Sequence, residues 1–199
     1  MKKSINLVLT IIAFLAIVGT LTAAEPQTKA GSKSIFWGLN GLSDLSVNNS
    51  FLGIQYLFAD KMGVWGQLNL SMISEKPNSD ADGVSTNNIG LSAGFIYYVF
   101  QKGPVGLYLS PQVGFYSNSE EDKDASTTHK DSESILYLGV SIGAEWWFTD
   151  NVSLIATSLI GFGSTTTTVE RGSSKTESTS TVIGIIPQAS AKFEICFYF

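Results

Sequence analysis

From Thr181 to the last residue the chain alternates. Ile183, Ile185, Pro187, Ala189, Ala191, Phe193, Ile195, Phe197 and Phe199 form one apolar face that turns aromatic. The residues between them, among them Gly184, Gln188, Ser190, Lys192, Glu194, Cys196 and Tyr198, form a face that is small, polar or charged for most of its length. A period of two with unlike faces describes a strand lying between two environments. The same alternation recurs upstream and predicts strands over Lys33–Leu42, Phe51–Phe58, Met62–Ser74, Asn88–Phe100, Val105–Ser117, Ser134–Phe148 and from Val152, making eight in all. Pro111 falls inside the fifth and offers no N–H to a ladder, so it calls for a bulge; Pro187 raises the same question in the eighth.

The connections alternate in length. Those at Asp60, Gly103 and Asp150 are brief, while those near Asp44, Asp80, Asp124 and Arg171 are longer and polar. Membrane barrels of the up-and-down kind have that asymmetry, with short turns on the periplasmic side and longer loops outside. The apolar face carries Tyr56, Phe58, Tyr97, Trp146, Phe148, Phe197 and Phe199 near the short turns, as an interfacial aromatic girdle would. The polar face is mostly Gly, Ser, Asn, Gln and Tyr, with Glu145, Lys192 and Glu194 as its conspicuous charges. A face turned to bulk water would be richer in Lys, Glu and Thr, so the polar face is read as the lumen of a small barrel. The fold class expected is all-β, an eight-stranded antiparallel up-and-down transmembrane β-barrel.

Charge and termini refine this picture. Lys2 and Lys3, the apolar run Ile5 to Val18 and the small residues Thr22-Ala23-Ala24 read as a secretory signal peptide over 1–24, cut before Glu25. Residues 25–199 are then one barrel domain, with 25–32 as a short polar lead-in. Losing the two lysines takes the formal net charge from −5 to −7, a poor balance for nucleic-acid binding. The single cysteine, Cys196, permits no internal disulfide.

Phe199, with Phe197, Ile195 and Phe193 behind it, resembles the C-terminal assembly signal of bacterial outer-membrane β-barrels. The stretch from Trp146 to Leu154, and a looser copy from Tyr56 to Val64, is similar to the repeating hairpin of the outer-membrane β-barrel domain family, the porin-like and OmpA/OmpX-type small barrels. The resemblance implies export through the periplasm to the cell outer membrane. Its partners there would be membrane lipid, lipopolysaccharide and the barrel-assembly machinery. The chain is expected to act as a monomer, without the peptidoglycan-binding domain of full-length OmpA-type proteins.

Candidate chemistry is sparse. His129 with Asp131 and Ser132 supplies the residue types of a nucleophilic site, which some small barrels carry as acyltransferases or proteases. A solvated loop histidine is the expectation instead. Asp80-Ala81-Asp82-Gly83 and Glu120-Glu121-Asp122-Lys123-Asp124 offer carboxylates without the spacing of a calcium loop. No catalytic residue, cofactor or metal ligand is therefore assigned. Glu145, Lys192 and Glu194 are expected to plug the lumen, with Lys192 paired to Glu145 or Glu194 and packed with Tyr98, Gln112 and Tyr137. The function expected is a non-enzymatic outer-membrane barrel with a narrow or plugged lumen and a structural or surface-interaction role. The second reading is a binding barrel that holds a surface protein through the Thr/Ser-rich hairpin around Arg171-Gly172, whose edge can capture a strand.

Overall fold

The computed structural model describes residues 24–40, 50–75, 83–123, 128–185 and 192–199. The signal segment before Ala24, the links through Asp44 and Asp80, and Pro187, Gln188, Ala189, Ser190 and Ala191 lie outside the described residues. The chain runs as β1 (Lys33–Asn40), β2 (Ser50–Ala59), β3 (Met62–Glu75), β4 (Gly83–Lys102), β5 (Val105–Lys123), β6 (Thr128–Thr149), β7 (Val152–Arg171), β8 (Ser174–Ile185) and β9 (Lys192–Tyr198). Each strand from β1 to β7 pairs antiparallel with the next. β9 pairs with both β7 and β1, which closes the sheet into a ring of eight strands.

The final predicted strand is described in two parts, β8 and β9. β8 follows the far half of β7 as far as Ile160↔Ile185, and β9 resumes at Thr157↔Lys192. Between these rungs β7 advances three residues while the last strand advances seven. The surplus is even, so face parity is preserved: Ile183 and Ile185 point outwards with Phe193 and Phe197, and Lys192 points inwards. β8 pairs only with β7 among the described residues, so its other edge has no partner among them.

Alternation reads correctly on both faces. Leu52, Ile54, Leu91, Leu138 and Ile142 lie exposed on the outside, Leu138 at 63 %. Inside, large rings lie over glycines on the facing strand. Phe36 pairs with Gly53, Tyr108 with Gly143, and Tyr137 with Gly114. A Cβ on Gly53 or on Gly143 would overlap the facing ring. The lumen is also more apolar than the alternation suggests, because Phe51, Leu57, Ile96, Trp147, Ile155 and Leu159 are buried in it. A barrel of this size is narrow enough for side chains to fill, so its inside behaves as a core.

The strands outrun their hydrophobic stretches. β4, β5, β6 and β7 have 20, 19, 22 and 20 residues, against 8 and 10 in β1 and β2. Crossing a bilayer takes about 9–11 tilted residues, so the long strands continue well past it. The segment Glu120–Asp131, expected as a charged loop, is largely ladder, with Glu120↔Asp131 and Asp122↔His129 facing each other. Beyond the bilayer neither face needs to be apolar, so the period of two fades while backbone pairing persists.

Pro111 causes no bulge. The β4–β5 register is the same at Gly94↔Gln112 and at Tyr97↔Leu109, and Pro111 faces Val140 in unbroken register on the other side. The Phe95 carbonyl opposite the proline accepts instead from the Ser110 hydroxyl, which replaces the missing donor. The register shifts recorded lie beside the short turns, at Leu57/Ala59, Tyr98/Phe100 and Trp147/Thr149.

The lead-in crosses the short-turn mouth of the barrel. The Thr28 carbonyl accepts from Lys61 N–H at 2.7 Å, and Ala30 N–H donates to Asp60 Oδ1 at 2.9 Å. The Thr28 hydroxyl donates to Gln101 Oε1 at 2.9 Å, and Glu25 N–H donates to Asp150 Oδ1 at 2.9 Å. Residues 25–30 thus touch all three short hairpins.

Candidate functional site

Odd-numbered residues of β6 point inwards, which carries Glu145 into the lumen with no solvent exposure. A buried carboxylate is costly unless hydrogen bonds replace its water. Three hydroxyls do so here. Oε1 accepts from Tyr198 at 2.6 Å and from Ser153, and Oε2 accepts from Tyr98. All three partners are hydroxyls, each able to donate to the Glu145 carboxyl. Tyr98 comes from β4 and Tyr198 from β9, so the cluster ties strands across the lumen. Trp147 packs against both rings, with centroids 5.8 Å from Tyr98 and 6.4 Å from Tyr198.

Lys192 enters from β9 and is buried. Its Nζ donates to Gln67 Oε1 at 3.0 Å and lies 5.1 Å from the Phe51 ring centroid and 5.8 Å from that of Trp65. Among the described residues no contact within 4.0 Å joins Lys192 to Glu145 or Glu194, although Lys192 and Glu194 interact electrostatically across a longer distance. Glu145 and Glu194 flank Ile155 on the same rung, while Lys192 stands one inward position further along, opposite Thr157. From there its chain extends across the lumen to β2 and β3. The polar cluster therefore has two centres, a hydroxyl-held carboxylate and an ammonium held by an amide and two rings.

Little space remains between them. Two voids meet at Gln67 and Lys192 and measure about 30 and 20 Å³. A void needs roughly 10–15 Å³ by this measure to hold one water. Gln112 lines the first void and Tyr137 the second.

The other candidates are not brought together. His129 and Asp131 share one face of β6 and Ser132 lies on the other, so alternation separates the hydroxyl from the histidine and acid. Glu120, Glu121 and Asp122 run along β5 with alternating faces. Asp80, Ala81, Asp82 and Asp124 lie outside the described residues. Of the assembly residues, Phe193, Phe197 and Phe199 are exposed on the outer wall and Ile195 is half-buried there. The hydroxyl clamp was legible only in part, since Tyr98, Ser153 and Tyr198 each sit on a predicted polar face and nothing in their spacing joins them.

A closed antiparallel ring, apolar outside and packed with a hydrogen-bonded lumen, is the fold of the small outer-membrane β-barrels. No family model matches the chain, and no curated protein matches it. Among solved structures it is similar in fold to a major outer membrane protein from Thermus thermophilus, with a TM-score of 0.51, 15 % identity, and 84 % of this chain and 98 % of that one covered. It also aligns with Ail, the attachment invasion locus protein of Yersinia pestis (TM-score 0.46, 15 % identity, 85 % and 99 % covered). Acinetobacter baumannii CarO2 aligns at TM-score 0.41 and 8 % identity, over 86 % of this chain and 100 % of that one.

Proposed function

We propose that the protein is a non-enzymatic integral barrel of the bacterial outer membrane with a plugged lumen, serving a structural or surface-interaction role. The observation that carries this reading is the contrast between the two faces. The exterior exposes Leu, Ile and Phe side chains to whatever surrounds it, while the interior is packed around Glu145 and Lys192 with voids of about 30 and 20 Å³ beside Lys192. Such an exterior suits lipid, and such a packed interior supports a lumen closed to hydrated ions. Under this reading Glu145, Lys192 and Glu194 belong to the plug, and the outward stripe of Phe193, Ile195, Phe197 and Phe199 engages the assembly machinery after export through the periplasm. The test is single-channel recording in planar lipid bilayers. Little or no steady conductance is expected; a large, stable conductance overturns the plug.

The edge of β8 that has no partner among the described residues favours a second role for the same barrel. Ser174 to Thr181 is exposed along its whole length and pairs only with β7 among the described residues. An unpaired edge rich in Ser and Thr can accept a strand from a surface protein. Thr179→Pro removes a donor from that edge and is expected to weaken adhesion while barrel insertion continues. Unchanged adhesion argues for the structural role alone.

A further inference from the structure

We propose that hydrolysis of the Ala24–Glu25 bond creates an amino terminus whose ammonium is seated on the Asp150 carboxylate, pinning the strap 25–32 across the short-turn mouth. The proposal rests on the reading of the chain as an exported barrel cut before Glu25, and it adds a structural consequence of that cut.

Two independent observations meet at one atom. The sequence places a stretch of small residues, Thr22-Ala23-Ala24, immediately before Glu25. The fold places the nitrogen of that same Glu25 2.9 Å from Asp150 Oδ1, in the turn between β6 and β7. In the uncut chain this nitrogen is an amide that donates one hydrogen bond. A signal peptidase adds water across the bond: the new carboxylate leaves with Ala24, and Glu25 keeps the nitrogen as an amine. Protonated, that amine becomes an ammonium opposite the carboxylate it already faced, so a neutral donor becomes a charged one.

The neighbouring charges are compatible with this. Lys29 Nζ lies 3.9 Å from Glu25 Oε2, which occupies the Glu25 side chain with a partner of its own. Further along the strap, Thr28 and Ala30 hold Lys61, Gln101 and Asp60. The strap is thus tied to the β2–β3 and β4–β5 hairpins by neutral donors or backbone groups, and to the β6–β7 hairpin by the group that processing would charge. Ala24, buried in the chain as described, would be lost on cutting, and the ion pair would hold the strap's free end in its place. The cut precedes folding, during export, so the burial of Ala24 does not impede it.

The experiment has three readings. Mass spectrometry of the membrane-inserted protein should find Glu25 as the first residue; a different first residue overturns the proposal and leaves the barrel reading intact. Chains beginning at Glu25 and at Ala24 are then refolded from urea into detergent micelles, each with and without Asp150→Asn, and unfolded with urea. The substitution should lower the folding equilibrium constant about two- to five-fold more in the chain beginning at Glu25, the size expected of an exposed ion pair. Equal losses in the two chains overturn it. Treating the wild-type chain that begins at Glu25 with a carbodiimide tests the contact without any substitution. An amide between the Glu25 nitrogen and Asp150, formed with loss of water, is expected in the digest, and its absence counts against the seat.

Discussion

Removing single hydroxyls from the Glu145 cluster tests whether that cluster holds the barrel together. Tyr198→Phe and Tyr98→Phe keep the rings, so their packing on Trp147 is retained and only a donor to the carboxylate disappears. A hydrogen bond to a charged group contributes about 1.5–3 kcal/mol, against about 0.5–1.5 kcal/mol for a neutral pair. Each substitution is therefore expected to cost about 1.5–3 kcal/mol. The double variant should depart from the sum of the two, because both donors share one carboxylate. Tyr108→Phe is the internal control. Its hydroxyl pairs with the neutral Thr157 hydroxyl at 3.0 Å, so its loss should cost about 0.5–1.5 kcal/mol. The assay is reversible urea unfolding in lipid or detergent, followed by tryptophan fluorescence. The reasoning fails if Tyr198→Phe and Tyr98→Phe cost no more than Tyr108→Phe.

Three further outcomes are expected. Lys192→Met removes the donor to Gln67 and the ring contacts of the ammonium, and it should raise single-channel conductance above the native level; native conductance that is large and indifferent to the change contradicts the plug. Gly143→Ala drives a Cβ into the Tyr108 ring and should destabilise by about 1–3 kcal/mol in the same urea assay, whereas Gly66→Ala, with nothing nearer than 3.9 Å, should be close to neutral. Replacing Phe197 and Phe199 together with serine should deplete the heat-modifiable, membrane-inserted form, and wild-type levels of that form would refute an assembly role for the stripe.

The sequence alone determined the class of fold and which side of each strand is outside. A closed barrel in lipid obliges alternate residues to meet hydrocarbon, so Leu52, Leu91, Leu138 and Phe197 mark the outer face without any knowledge of strand partners. The three short turns were legible for the same reason, because polar residues interrupt the alternation at Asp60, Gly103 and Asp150. Outside the bilayer that obligation lapses. Nothing in Glu120–Lys123 announced that the strands continue; around Arg171-Gly172 the Thr/Ser-rich composition pointed to a hairpin, and in both places pairing with a neighbour keeps the strands extended. Register is likewise a property of two strands at once. The sequence placed Glu145, Glu194 and Lys192 on the inner face, but only the closed ring put the two acids on the rung of Ile155 and Lys192 beyond it. Which hydroxyls reach Glu145 depends on strands separated around the ring, as do the partner of Lys192, the donor that replaces the N–H of Pro111, and the route of the strap. Those are distances across the lumen, and no local pattern along one strand encodes them.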